Sequence, residues 1–206
     1  MRKPVLVCLD LEGVLVPEIW INVALKTGIE DLKITTREMP DYHKLMERRL
    51  KILDQHQLKI HDIQGVIAQM GPLDGAMEFV AWLRDRYQVV ILSDTFYQFA
   101  EPLMRQLGFP TLFCNQLEID GSGRILAYHM RMKDPKKHAV AAFKSLNFLT
   151  MAAGDSYNDT AMLGEADAGF FFRPPEHLPK EFPQFPVTQT YSELQGRLTN
   201  AGAILC

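Results

Sequence analysis

Four short apolar runs stand out along the chain: Val5–Leu9, Val89–Leu92, Leu149–Ala153 and Gly169–Phe172. Each is continuous rather than alternating, the pattern of a strand buried on both faces of a parallel sheet. Between them lie segments with apolar residues at mixed three-to-four spacing. Ala76–Tyr87 carries Met77, Val80, Trp82 and Leu83. Phe96–Leu107 carries Phe99, Leu103, Met104 and Leu107, and Gly108 follows as a stop. His138–Leu146 carries Ala139, Ala142, Phe143 and Leu146. Strands alternating with helices of this length predict an α/β fold on a Rossmann-like parallel sheet.

Two segments interrupt the alternation. Residues 17–72 contain no buried-strand run and predict helices around Glu18–Thr27, Asp41–Gln55 and Ile60–Gln69, with Pro72 and Gly75 marking the return. That divides the chain into an α/β core, 1–16 and 73–206, and a small helical cap, 17–72, inserted after the first strand. Leu117–Arg131 reads as a β-hairpin, its apolar positions flanking Asp120-Gly121-Ser122-Gly123. The tail from Pro174 holds Pro175, Pro179, Pro183 and Pro186. It is expected to wrap the surface and end in a short helix near Tyr191–Asn200. Phe182 and Phe185 are expected exposed there, packing on the core or on a second copy of the chain in a homodimer.

Composition narrows the function classes. Of 206 residues, 47% are apolar and 23% charged, which excludes disorder, a collagen-like fibre and a disulfide scaffold. The net charge of -3 lacks the basic excess of a duplex-binding protein, so no nucleic-acid partner is expected. No apolar stretch approaches ~18 residues, so no membrane span is expected. The run behind Met1-Arg2-Lys3-Pro4 stops at Asp10, too short for a signal peptide. Cys8, Cys114 and Cys206 are too scattered for a disulfide framework, and the first two read as buried thiols. A cytoplasmic location is the default.

The candidate chemistry follows the strands. Three apolar runs lead into polar clusters: Asp10-Leu11-Glu12-Gly13, Ser93-Asp94-Thr95 and Gly154-Asp155-Ser156-Tyr157-Asn158-Asp159. Any one cluster alone is satisfied by a turn or a helix cap. Ligands of open parallel sheets bind beyond the carboxyl ends of strands, where three clusters in this order would meet. Asp10 and Glu12, two apart on an extended chain, leave on the same side and can divide the work of nucleophile and proton donor. Asp155 adds a third carboxylate, and the oxygen-rich cluster suits Mg²⁺. Ser93 can hydrogen-bond a phosphate oxygen. A lysine is then expected on the transferring group. Lys133, Lys136 and Lys137 all lie near. Pro135 suits the first turn of a helix, which favours Lys136.

On these motifs the chain resembles the haloacid-dehalogenase-like (HAD) phosphatases, through Phe172. Within them it is most similar to the phosphoserine phosphatases, and to the branch that also transfers phosphate to homoserine. The Asp10-Leu11-Glu12-Gly13-Val14-Leu15-Val16-Pro17-Glu18-Ile19-Trp20 opening and the Phe182-Pro183-Gln184-Phe185-Pro186 tail carry that closer likeness. Most relatives have Asp where this chain has Glu12, which moves the carboxyl by ~1.5 Å, one carbon–carbon bond.

The resemblance implies roles. Asp10 would become an aspartyl phosphate, and Glu12 would protonate the leaving oxygen and then deprotonate the incoming one. Mg²⁺ would sit on the Asp10 carboxylate, the Glu12 backbone carbonyl and Asp155, with Asp159 supporting its shell. Ser93 and the Asp94 N–H would hold phosphate oxygens, and Asn158 would orient the substrate. Arg49 would bind the substrate carboxylate and Glu18 its ammonium. The small-molecule partners would be phosphoserine and homoserine, placing the enzyme in serine and threonine biosynthesis. Two other readings share parts of this chemistry: a HAD phosphomonoesterase for another metabolite, and a signalling receiver domain with a phospho-accepting aspartate.

Overall fold

A computed structural model describes residues 3–35, 38–39 and 41–205. Met1, Arg2 and Cys206, which entered the reading above, lie outside the described residues. The elements in order begin with β1 (Val5–Leu9), α1 (Ile19–Thr27), α2 (Tyr42–Gln55), α3 (Ile60–Ala68) and α4 (Ala76–Arg84). Next come β2 (Gln88–Phe96), α5 (Tyr97–Gln106), β3 (Thr111–Ile119), β4 (Ile125–His129) and α6 (Pro135–Ser145). The chain closes with β5 (Leu149–Gly154), α7 (Thr160–Glu165), β6 (Ala168–Phe172), α8 (Leu178–Glu181), β7 (Val187–Thr188) and α9 (Tyr191–Leu205).

The strands form one sheet in the order β4-β3-β2-β1-β5-β6-β7. Every pair is parallel except β3–β4. The continuous apolar runs have a direct cause. Val7 and Leu9 of β1 face one core with α4, α5 and α9, while Leu6 and Cys8 face a second with α6, α7 and α8. Both faces of β1 are therefore dry. Burial pushes the Cys8 thiol far above its ordinary value, leaving it an inert packing group.

Helices α1 to α3 occupy the segment between β1 and α4. Asp41 starts α2 by accepting hydrogen bonds from the backbone N–H groups of His43 and Lys44. Gly28, at φ +72°, ends α1 in the left-handed conformation that a side chain resists. The β3–β4 hairpin clamps this segment. Arg124 places Nε and Nη2 at 2.7 and 2.9 Å from the two oxygens of Asp54 in α2. The Ile60 N–H, at the start of α3, donates to the Gly123 carbonyl at 2.9 Å.

Several boundaries differ from the expected ones. The hairpin arm begins at Thr111, so β3 pairs in parallel with β2 before it turns antiparallel to β4. Asn115 and Gln116 break the apolar run there and hide the first half. β2 continues through Ser93 to Phe96, so α5 starts at Tyr97. The tail contributes the short edge strand β7, and α9 runs on to Leu205. Phe185 is buried against Phe171, and Phe182 stacks beside it. Their partner is this chain's own core. No helix among the described residues is long and apolar enough to cross a membrane.

Gly169 shows how tightly α7 seats on the sheet. A Cβ there would lie 2.5 Å from the Leu163 carbonyl oxygen. Gly169→Ala is expected to cost about 1–3 kcal/mol. Urea unfolding checks this: the midpoint should fall with the slope unchanged, and an unmoved midpoint contradicts the packing described.

Candidate active site

β2, β1 and β5 lie side by side, and each of the three polar clusters sits at the carboxyl end of one of them. Asp10 follows β1 directly, and its N–H donates to the Ala153 carbonyl of β5 at 3.0 Å. The chain then turns sharply: the Gly13 N–H donates to Val16 O at 2.8 Å and the Val16 N–H to Leu11 O at 3.0 Å. Gly13 has φ +76°, and a Cβ on it would collide with the Asp155 carboxylate. Glycine is required twice over, by conformation and by space.

Lys136 is the lysine that the fold delivers. Pro135 opens α6, and the next residue aims inward, while Lys133 and Lys137 are exposed. Lys136 Nζ lies 2.8 Å from Asp10 Oδ1, 2.8 Å from Asp159 Oδ1 and 3.6 Å from Asp94 Oδ2. The other Asp159 oxygen accepts the N–H groups of Asp155 and Ser156 and the Ser156 hydroxyl, each at 3.0 Å. Asp159 thus braces the lysine and the Asp155 loop together.

A cavity of about 510 Å³ opens above this floor. Asp10, Glu12, Ser93, Asp94, Lys136, Asp155 and Asn158 line it from the sheet side. Glu18, just before α1, and Arg49 of α2 line it from the other side. Every residue singled out as catalytic, substrate-binding or metal-ligating therefore reaches one space. Asp159 lies fully buried behind Lys136.

Arg49 is buried, whereas its neighbour Arg48 is exposed and paired with Asp31 at 2.9 Å. The Arg49 guanidinium sits 4.5 Å over the Trp20 ring, and Nη2 donates to Ile34 O at 2.9 Å. Its Nε is buried and has no hydrogen-bond partner among the described residues. A donor left in that state costs free energy that an anionic ligand would recover. Trp20 and Tyr42 were not foreseen as lining residues. Trp20 looks like one more apolar helix position in the sequence, and only its stacking beneath Arg49 reveals it.

The electrostatics follow from burial. Burial raises Asp10 well above the usual carboxylate range, Asp159 adds to this, and Lys136 opposes it. Burial, with Glu18 nearby, lifts Glu12 to about 8, against the Ile19 N–H bond. Burial, then Asp159 and Glu18, lift Asp155 to about 7. Burial works to lower Lys136, but Asp10, Asp159 and Asp94 outweigh it and hold the ammonium charged. Burial drops Arg49 to about 10, still charged at neutral pH.

Among the described residues, carboxylates outnumber the one cation on the floor, so the site favours a second. Carboxylate oxygens of Asp10, Asp155 and Asp159 lie within 4.8 Å of one another. All the donors are oxygen, which suits a hard divalent ion. Asp159 is already engaged on both oxygens, leaving Asp10 and Asp155 as the available pair.

Over residues 5–167 the chain matches the haloacid dehalogenase-like hydrolase family. It belongs to that family. This HAD-like hydrolase is 63% identical over 196 residues to phosphoserine phosphatase ThrH of Pseudomonas aeruginosa, covering 95% of this chain and 96% of that one. It is 62% identical over 194 residues to a phosphoserine phosphatase of Pseudomonas syringae pv. tomato, covering 94% of this chain and 82% of the relative. In fold it is similar to a phospho-aspartyl intermediate analogue of phosphoserine phosphatase, with a TM-score of 0.77, 20% identity and coverage of 95% and 99%.

The raised carboxylates fix a sign. Asp155 and Glu12 hold their protons more tightly folded than unfolded, so their contribution is full below the unfolded values. It is lost as pH climbs through about 7 and about 8. A cation held by Asp155 displaces the Asp155 proton. Millimolar MgCl₂ should therefore raise the melting temperature more at about pH 8.5 than at about pH 6. An equal gain at both values removes the Asp155 carboxylate as a ligand.

Proposed function

We propose that this HAD-like hydrolase is a Mg²⁺-dependent phosphoserine phosphatase working through an aspartyl phosphate, with homoserine as an alternative acceptor. The observation that carries the substrate is the two-ended cavity. Its floor holds Asp10 beside the Lys136 ammonium, 2.8 Å away, and its far wall presents buried Arg49 and exposed Glu18. A phosphate meets the floor, while a carboxylate and an ammonium each find the opposite sign on the wall. The names of the relatives agree.

In the first step an Asp10 oxygen bonds to phosphorus and the bond from phosphorus to the serine oxygen breaks. Glu12 gives its proton to that oxygen, and serine leaves. In the second step Glu12 takes a proton from water as its oxygen attacks phosphorus, which frees Asp10 and releases phosphate. Lys136 holds charge against the transferring oxygens throughout. The Ser93 hydroxyl and the Asp94 N–H hold those oxygens, and Asn158 orients the substrate. Mg²⁺ would be held by Asp10, the Glu12 backbone carbonyl and Asp155, and supplies charge neutralisation there.

Homoserine replaces water without new chemistry. It carries the zwitterion of serine with one more methylene, a difference sites resolve by only ~1–3 kcal/mol. The same reading makes residues 17–72 a cap over the core and assigns a cytoplasmic, biosynthetic setting.

Product analysis decides between hydrolysis and transfer. With phosphoserine, Mg²⁺ and excess homoserine, free phosphate and phosphohomoserine should both form, and Asp10→Asn should form neither. Phosphate alone leaves a plain phosphatase. Cleavage of p-nitrophenyl phosphate with none of phosphoserine removes the substrate assignment.

Arg49→Ala tests the wall. Loss of a buried charged contact is worth about 2–5 kcal/mol, so kcat/KM for phosphoserine should fall at least about 30-fold. The fall for p-nitrophenyl phosphate, which has no carboxylate, should be far smaller. Equal losses would show that Arg49 supports the fold rather than the substrate.

A further inference from the structure

We infer that the backbone N–H of Ile19 positions the acid/base group, by deciding which oxygen of Glu12 carries the proton. This rests on the phosphatase reading above and adds a residue to it. Ile19 is the first residue of α1. The leading N–H groups of a helix have no partner inside it. This one donates to Glu12 Oε2 at 2.8 Å, across the turn at Gly13. A protonated carboxyl has one oxygen that accepts strongly and one that donates. Fixing Oε2 as the acceptor leaves Oε1 to carry the proton into the cavity that Glu12 lines.

The length of the side chain matters to this contact. An aspartate would withdraw the carboxyl by ~1.5 Å, out of hydrogen-bond reach of Ile19 on the same backbone. Glutamate at position 12 and the start of α1 are matched to each other. The next residue, Trp20, lies under the Arg49 guanidinium at 4.5 Å. One turn of α1 therefore fixes both the proton donor and the cation on the far wall. Proton transfer is tied to the placement of α1.

The N–H can be deleted with little change to the backbone. Proline is tolerated at the first helical position. Glu18, at φ -56° and ψ 116°, already lies outside the α region that a following proline disfavours. Ile19→Pro removes the donor, and Ile19→Ala trims the same buried side chain but keeps it. First-turnover rates are measured on both with Mg²⁺ present. Serine leaves as a strongly basic alkoxide and needs the proton, whereas nitrophenolate leaves without one. Relative to Ile19→Ala, Ile19→Pro should slow serine release at least about tenfold. Its effect on nitrophenolate release should be several-fold smaller, with the KM for phosphoserine within about twofold of the Ala variant.

Equal slowing with both substrates, or no slowing, overturns the inference. If the unaltered protein cleaves nitrophenyl phosphate and not phosphoserine, the substrate reading falls. The comparison then runs with an alkyl phosphate that the protein does cleave. If Ile19→Pro does not fold, amide exchange on the full chain gives the answer. The Ile19 N–H should exchange at least about tenfold faster in Glu12→Ala than in the unaltered protein. Unchanged exchange rejects the contact.

Discussion

Lys136 holds its ammonium 2.8 Å from Asp10 and 2.8 Å from Asp159, with all three side chains buried. Two carboxylates at that depth cannot stay charged without a shared cation. The lysine neutralises part of the charge on Asp10 and anchors Asp159, whose second oxygen fixes the N–H groups of Asp155 and Ser156. The ends of β1 and β5 and the start of α6 are thereby joined at one point. The sheet supplies the frame, but this triad sets the spacing of the reactive groups. It leaves Asp10 and Asp155 short of positive charge, which is the condition for a divalent ion to bind.

The price of that density is space, and glycine supplies it. Side chains at Gly13 and Gly154 would overlap Asp155 and Asp159 respectively. The carboxylates demand both glycines, and at Gly13 the turn demands it as well. Gly154 in particular has no positive φ to explain it. The polar clusters and their glycines are one feature, in which the backbone is thinned where acidic side chains crowd.

Much of this was legible in the sequence, for identifiable reasons. A strand buried on both faces writes itself as an unbroken apolar run, so β1, β5 and β6 were plain. Parallel strands put their polar ends together, so the meeting of Asp10, Ser93 and Asp155 followed from order alone. Lys136 was separable from Lys133 and Lys137 because Pro135 fixes where α6 begins. Other parts left no trace. β3 serves a parallel and an antiparallel neighbour in turn, and Asn115 interrupts its pattern: the side chain donates to Asp94 O at 2.9 Å and accepts from the Arg131 N–H at 3.0 Å. Phe182 and Phe185 looked exposed because prolines surround them, yet the second core needed an aromatic lid over Phe171. Contacts between α1 and the site, Trp20 to Arg49 and Ile19 to Glu12, depend on helix placement, which spacing does not encode.

Glu12 joins the two halves of the site. Its backbone follows β1 on the sheet side, and its side chain is held by α1 on the other. Glu18, which ends the same approach to α1, pushes the Glu12 proton affinity up, and Arg49 pulls it down. The groups proposed to read the substrate's ammonium and carboxylate are thus the ones whose charges act on the acid/base group. A zwitterion bound between them would compensate both charges at once. In this arrangement recognition and proton transfer share one electrostatic environment, and neither can be retuned alone.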